Sequence, residues 1–420
     1  MIQVGGRHIM PEIKISIIGG QRRLCFFVAG MLLLPLYLHF MNSISQIIGF
    51  STRITTGAYY LVLWVQLLTS VLPFRVEYFK RFTLSYGFLL ALALISILLH
   101  PATKQYVIGT DVNSMLFFQP KTFLASGLFV FVGLLIYDFK TLCLVLHKSA
   151  RIGAIMGIFI YVLSVLNGTL VHYDDMNYAY TMCAMICILV AMYEKNDLWF
   201  IIIGFVCLLI AGTRGPIACC LFAIILKSLT AKQSTKRNVF RITVLSLLLA
   251  LYYSNLFYIL IVQVSNVLAK FGINKLRLLD YLNSGMLLDS SGRDGFADIV
   301  TSAIWEQPII GYGIGGDRLL LNGRYCHNFL LEVFVSFGFV LGVIIISLIG
   351  ILGTKMIFNK DEYIKSVGIA MICSYVFKLM FSSSLVYSKE LFLLIGLAIN
   401  AAFMVNTEQE GKTTNGYVRY

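Results

Sequence analysis

LWFIIIGFVCLLIAGTRGPIACCLFAIILKSL, residues Leu198–Leu229, decides the fold. As one helix it would run about 48 Å, against a bilayer hydrocarbon core of about 30 Å. A break is visible at Gly212-Thr213-Arg214-Gly215-Pro216. Glycine suits a tight turn, and proline suits the first position of the helix that follows. The stretch therefore predicts a hairpin of two short apolar helices, each about 22 Å long. Its tip is expected just below the outer surface. Arg214 stands there at a helix N-terminus, where exposed N–H groups and an arginine together favour an anion. A cation in that low-dielectric zone is costly, by about 2.5–3.5 kcal/mol on insertion scales, so it is expected to face the protein interior or a wet cavity.

The rest of the chain has the same character. It holds 420 residues, 59% hydrophobic and 13% charged, with a mean hydropathy of +0.84. Soluble domains carry about a quarter charged residues. The predicted fold is all-α, a single polytopic membrane domain over residues 1–420. The expected spans are roughly 25–41, 57–74, 83–100, 122–138, 152–170, 179–193, 198–212, 215–229, 242–263, 328–353, 366–386 and 391–405, about twelve helices. Arg22-Arg23 before the first run imitates a secretory leader, but the run is long and no A-x-A site follows, so it reads as a span.

The net charge of +13 is a topology signal, not one for nucleic acid. Of the 33 lysines and arginines, 21 fall in one set of alternate connections and 11 in the other, with Lys378 inside a span. The positive-inside rule then puts both termini in the cytoplasm and residues 264–327 outside. Of the nine cysteines only Cys326 is external, so no external disulfide can form within the chain. Cys183 and Cys187 sit four apart inside a span and read as packing. No zinc spacing, phosphate-binding loop or Ser/His/Asp arrangement is present, and no metal or cofactor is expected.

The long external segment leads into SGRDGFADIVTSAIWEQPIIGYGIGGDRLLLNGRYCHNFLLEVFVSFGFVLG, Ser291–Gly342. Ser291 reads as an N-cap with Asp294 three residues on. Phe296, Ile299, Val300, Ala303 and Ile304 recur at helical spacing, predicting a short amphipathic helix over about 293–306, lying on the outer leaflet. Gly311, Gly313, Gly315 and Gly316 then allow a tight loop into Asp317-Arg318. Arg293, Arg318, Arg324 and His327 make this segment the candidate site. Asn328, Glu332 and Ser336 draw a polar stripe down the next span. His327 at its mouth is able to take a proton from a hydroxyl. Glu332 needs a partner inside the membrane, with Lys378 the candidate. Gly338 and Gly342 read as a close helix-packing pair. A second external loop offers Asp174, Asp175 and Asn177 to sugar hydroxyls.

Three segments in order resemble the O-antigen polymerase and O-antigen ligase superfamily. GTRGP, Gly212–Pro216, resembles its S/T-R-G hairpin. Gly292–Gly315 resembles its R…W…P-x-x-G-x-G external segment. HNFLLEVFVSFGFVLG, from His327, resembles the ligase His-Asn pattern but departs from it at Leu341. The wording GYGIGGDR…HNFLLE resembles the capsule and exopolysaccharide repeat-unit polymerases more closely. The resemblance spans roughly Asp174–Gly342 in scattered motifs. It implies a metal-independent glycosyltransferase, GT-C-like in general style, in a bacterial plasma membrane. Donor and acceptor would be undecaprenyl-diphosphate-linked oligosaccharides, with a flippase and a chain-length regulator as partners. By that resemblance Arg214, Arg293, His327 and Glu332 would be catalytic. Arg318, Arg324, Asp174, Asn177, Asn328 and Lys378 would bind substrate. A ligase passing glycan to a lipid core, and a lipid-linked glycan flippase or transporter, are the alternatives.

Overall fold

The computed structural model describes residues 2–4, 7–9, 11–49, 51–71, 76–110, 121–166, 176–211, 213–230 and 293–414, with a few single positions between 259 and 270. Most of the expected span 242–263, the loop acids Asp174 and Asp175, and the Ser291 cap lie outside those residues. The described chain is helical apart from a short antiparallel hairpin, Ile2–Val4 with Arg7–Ile9. Among the described residues, five helices are long and apolar enough to cross a membrane: Gly20–Ile48, Phe79–Leu99, Phe139–Leu163, Phe329–Ile357 and Glu362–Met380. The chain divides into two compact units. One comprises Met1–Met31, Tyr60–Val145 and Gly292–Tyr420; the other comprises Leu32–Tyr59 and Leu146–Ser291.

In the second unit, the helix Met176–Ala191 is the core element, buried at nearly every position from Tyr178 to Leu189. A helix apolar on all sides is stable only when covered on all sides. Leu198–Ala211 and Arg214–Thr230 both pack on it, so the two short helices predicted for this stretch are present. Arg214 is the first helical residue, and Pro216 falls third, not first as expected. Its missing N–H costs nothing there, because the first four helical N–H groups have no intrahelical partner anyway. Glycines let the helix Phe139–Leu166 approach the core helix: a Cβ at Gly157 would meet the Met182 sulfur at 2.6 Å. One polar cluster joins Arg151, whose Nε and Nη2 donate to Asp197 (2.7 Å) and Glu194 (2.6 Å), with His147, which lies 2.8 Å from Asp197.

In the first unit, the span expected over 122–138 is two short helices, Phe123–Gly127 and Phe129–Leu135, followed by extended backbone at Ile136. Irregular backbone in a bilayer survives only where protein supplies its hydrogen bonds. Gln21 does so, donating to the Leu135 carbonyl at 2.8 Å and accepting from the Tyr137 N–H at 3.1 Å. Asn400 donates to the Ile136 carbonyl. Gly133 and Gly396 face each other's backbones where this segment crosses the helix Lys389–Thr414.

Two further departures shape the site. The helix Phe329–Ile357 is interrupted at Gly338, whose φ of 72° and ψ of 179° suit only glycine. The interruption frees backbone groups that a continuous helix would pair internally. The loop Pro308–Gly313 takes them up: Phe339 N–H donates to the Pro308 carbonyl at 2.7 Å, and the Tyr312 and Gly313 N–H groups donate to the Val335 and Ser336 carbonyls at 2.7 and 3.0 Å. The Gly338/Gly342 pair is therefore not a seam between two helices. Gly338 is a socket for a loop, and a Cβ on Gly342 would meet Phe334 of its own helix. The span expected over 366–386 is likewise broken. It is helical from Glu362 to Met371, passes through a π turn (Ile372–Val376) and a 3₁₀ turn (Phe377–Met380), and then becomes a loop.

Gly338→Ala should lower stability by about 1–3 kcal/mol, the usual cost of a side chain in a glycine-only conformation. Gly350→Ala in the same helix, where a Cβ meets nothing within 4 Å, should be neutral or slightly stabilising. Thermal melting of the two detergent-solubilised variants checks the contrast.

Candidate functional site

The glycine loop is built as its sequence requires. Gly311, Gly313 and Gly315 have φ of 70°, 82° and 79°. A Cβ at Gly313 would press on Ser96 and His100, and one at Gly315 on Tyr106. Ser96 Oγ also accepts the Ile314 N–H at 2.8 Å, so the loop is seated on the end of the helix Val76–Leu99. From there Gly316–Leu320 forms a short helical turn that buries Asp317 and Arg318.

Arg318 is the centre of the unit's polar core, 1% exposed. Its Nη1 donates to Asp317 Oδ1 at 2.9 Å and to Glu332 Oε1 at 3.3 Å, and its Nη2 to Ser384 Oγ at 2.5 Å. Ser384 Oγ in turn donates to Glu332 Oε1, while Glu332 Oε2 accepts the Leu385 N–H at 2.8 Å. The second oxygen of Asp317 accepts the Cys326 N–H at 3.0 Å. Tyr387, Tyr106 and Tyr325 surround the guanidinium at 4.7, 5.5 and 5.7 Å from their ring centroids. Burial opposes the arginine's charge, but Glu332 and Asp317 outweigh it and hold its pKa above the ordinary arginine value. Arg318, expected to touch substrate, is thus occupied inside the protein. Glu332 takes Arg318 as its ion-pair partner where Lys378 was expected, and Ser384 and the Leu385 amide complete its coordination within one unit.

His327 stands one residue beyond this centre. Its φ is 58°, unusual for a non-glycine residue and placed where the chain turns into its next helix. The ring lies 4.1 Å from that of Tyr325, and Nδ1 is buried with no hydrogen-bond partner. Burial, then the positive charge of Arg293, holds the imidazole pKa down at about 4. It is therefore neutral at physiological pH, with basic nitrogen to offer. Asn328 caps the following helix through the Leu330 and Leu331 N–H groups, which occupies its side-chain oxygen.

Arg293 opens the helix Arg293–Glu306 and donates to the carbonyl of Phe381. That helix packs Val300, Ala303 and Ile304 against Leu321, Cys326 and Val335. Its apolar stripe meets its own protein, while Ile299 is 49% exposed and Trp305, 69% exposed, keeps its ring 5.2 Å from that of Phe339. Arg324 is exposed, 5.9 Å from the Phe296 ring centroid. Lys378 is half-buried in the 3₁₀ turn.

Arg214 and Asn177 belong to the other unit. Arg214 is half-buried, beside a buried Thr213 whose hydroxyl has no hydrogen-bond partner. Asn177 is exposed in the first turn of its helix. Among the described residues, two groups bring three metal-ligating side chains together, both in that unit: Cys183, Cys187 and Cys220, and His147, Glu194 and Asp197. In the second, Arg151 already holds both carboxylates. In the first, Cys187 and Cys220 point their thiols at the Cys219 and Cys183 carbonyls across the two helices, the geometry of packed thiols.

Sequence reasoning missed the loop Phe381–Ser388, which meets Arg293, Arg318 and Glu332. Its signal was three consecutive serines, Ser382–Ser384, in an otherwise apolar run. No family model matches the chain, and no curated protein and no solved structure matches it.

Glu332→Ala strands Arg318 with a reduced partner set. It should destabilise the protein by about 3–5 kcal/mol, the cost of breaking a buried ion pair from one side. Arg324→Ala, at the exposed rim, should stay within about 0.5 kcal/mol. Melting temperatures of the two variants in detergent measure the difference.

Proposed function

We propose that the chain is a polysaccharide repeat-unit polymerase of the bacterial plasma membrane. In this reading it has about twelve spans, cytoplasmic termini and a site on the external face. The observation that carries it is His327: a histidine kept neutral by burial and by Arg293, with a buried nitrogen that no protein group uses. Such a group is held in the form that accepts a proton, as abstraction from a sugar hydroxyl requires. The motif resemblance supplies the substrate class, undecaprenyl-diphosphate-linked oligosaccharides.

The reaction balances without a metal. The acceptor hydroxyl oxygen attacks the anomeric carbon of the donor chain, and the bond from that carbon to the lipid diphosphate breaks. His327 takes the hydroxyl proton. The departing diphosphate gains negative charge, which Arg293 and Arg324 would stabilise. Each such donor is worth about 2.7–4 kcal/mol when removed from a preorganised site. Arg318 and Glu332 hold the scaffold, and Lys378 is assigned to the glycan. A flippase would deliver the donor, and a chain-length regulator would set the product.

Arg293→Ala, His327→Ala and Arg214→Ala should each collapse the glycan ladder to short chains at normal protein level. Wild-type ladders from all three would overturn the assignment. Retention of long lipid-linked chains would instead indicate transfer to another acceptor, as in a ligase. The pH dependence is equally specific. A base of pKa about 4 works in its neutral form, so the rate should hold from pH 7 to 5 and fall as His327 is protonated below that. A decline already centred near pH 6.5 would mean that an ordinary, exposed histidine is responsible.

A further inference from the structure

The segment Phe381–Ser384 touches both halves of the site without offering a reactive group of its own. The Phe381 carbonyl accepts from Arg293. Ser382 lies within hydrogen-bonding reach of Tyr325, whose ring rests against His327. Ser384 Oγ bonds Arg318 and Glu332, and Arg318 holds Asp317, which binds the Cys326 N–H immediately before His327. Ser382 and Ser384 are 8% and 1% exposed. A hydroxyl buried that deeply is unfavourable unless it is hydrogen-bonded. These serines are committed to fixed positions.

Nothing local requires this arrangement. The preceding helix has already unwound by Met380, and an apolar helix could have continued. The chain instead lays a polar strand of contacts across the gap between Arg293, which opens one helix, and His327, which precedes another. We propose that Phe381–Ser384 is a positioning strap that fixes the separation of the Arg293 guanidinium from the His327 imidazole. It holds the first through a backbone carbonyl. It holds the second through Tyr325 on one side and the Ser384–Arg318–Asp317–Cys326 relay on the other. This rests on the function proposed above, since it assigns the strap to the chemistry of those two residues. Serines that served stability alone would change the amount of folded protein and nothing else.

The groups that act on His327 are Arg293 on its helix and Tyr325 on the same loop, with the Arg318–Glu332 pair behind Tyr325. A slack strap lets water reach the ring and moves Arg293 away, and both changes raise the histidine pKa toward about 6.5.

The test uses purified full-length protein and lipid-linked oligosaccharide extracted from the host strain deleted for this chain. Ser384→Ala should lower kcat at least tenfold with KM changed less than twofold, and shift the acid limb of the rate profile upward from about 4. Ser384→Thr, which keeps the hydroxyl, should restore most of the rate and the original limb. Should Ser384→Ala not fold, Ser382→Ala carries the same expectation through Tyr325. Wild-type kcat with an unmoved limb overturns the strap, and so does a loss that merely follows the folded fraction. The two readings fail separately. Full activity in His327→Ala or Arg293→Ala removes the proposed function itself. Inactive His327→Ala and Arg293→Ala beside normal serine variants removes only the strap.

Discussion

The first unit is organised around one guanidinium that has left water. Placing Arg318 at 1% exposure is tolerable only because two carboxylates, a hydroxyl and three aromatic rings converge on it. Those partners come from five separate parts of the chain: the turn after Pro101, the helical turn after the glycine loop, the loop at Tyr325, the head of the Phe329–Ile357 helix, and the loop after Met380. No one of them fixes the arginine alone. The ion cluster therefore does what a hydrophobic core does in a soluble domain. It gives chain segments distant in sequence a reason to meet at one point, and its charges make that meeting geometrically specific.

What the sequence made legible was local. The two short helices at 198–229 followed from helix length and a Gly-Pro break. The helix at 293–306 followed from periodicity, and the glycine loop from the need for positive φ. Each depends on residues within a few positions of one another. The Gly338 interruption was not legible, because its surrounding sequence is uniformly apolar and its compensation comes from Pro308–Gly313, some thirty residues earlier. The partner of Glu332 was misread for a similar reason. Spacing along a helix names which residues share a face, but it does not name what another segment will present to that face. Ile299 shows a finer limit: it fits the helical repeat of its neighbours, yet the burial of Val300, Ala303 and Ile304 turns it outward.

His327 and Arg318 illustrate how burial separates two residues of similar promise. Both are basic and nine positions apart, on the same stretch. Arg318 is paired so completely that little of it is available to anything else, leaving only Nε without a hydrogen bond. His327 is packed against a ring and pushed by a neighbouring cation, so its proton is lost and its nitrogen is left unused. A count of cations by sequence treats them alike. Their surroundings commit one to the scaffold and leave a nitrogen of the other without a protein partner.

The interruption at Gly338 also divides mechanical labour within a single apolar helix. Above it, Glu332, Val333, Val335, Ser336 and Phe337 are buried in protein. Below it, Val340, Val343, Ile344 and Ile351 are open, from 47% to 67% exposed. The lower rod, Phe339–Ile357, measures about 28 Å, close to the hydrocarbon thickness of a bilayer. The length and exposure of the lower rod suit a lipid surrounding, while the upper stub belongs to the polar centre, and the interruption at Gly338 lies between them. Thickening or thinning of the host membrane would be absorbed as tilt of the rod about that point, sparing the stub that carries Glu332.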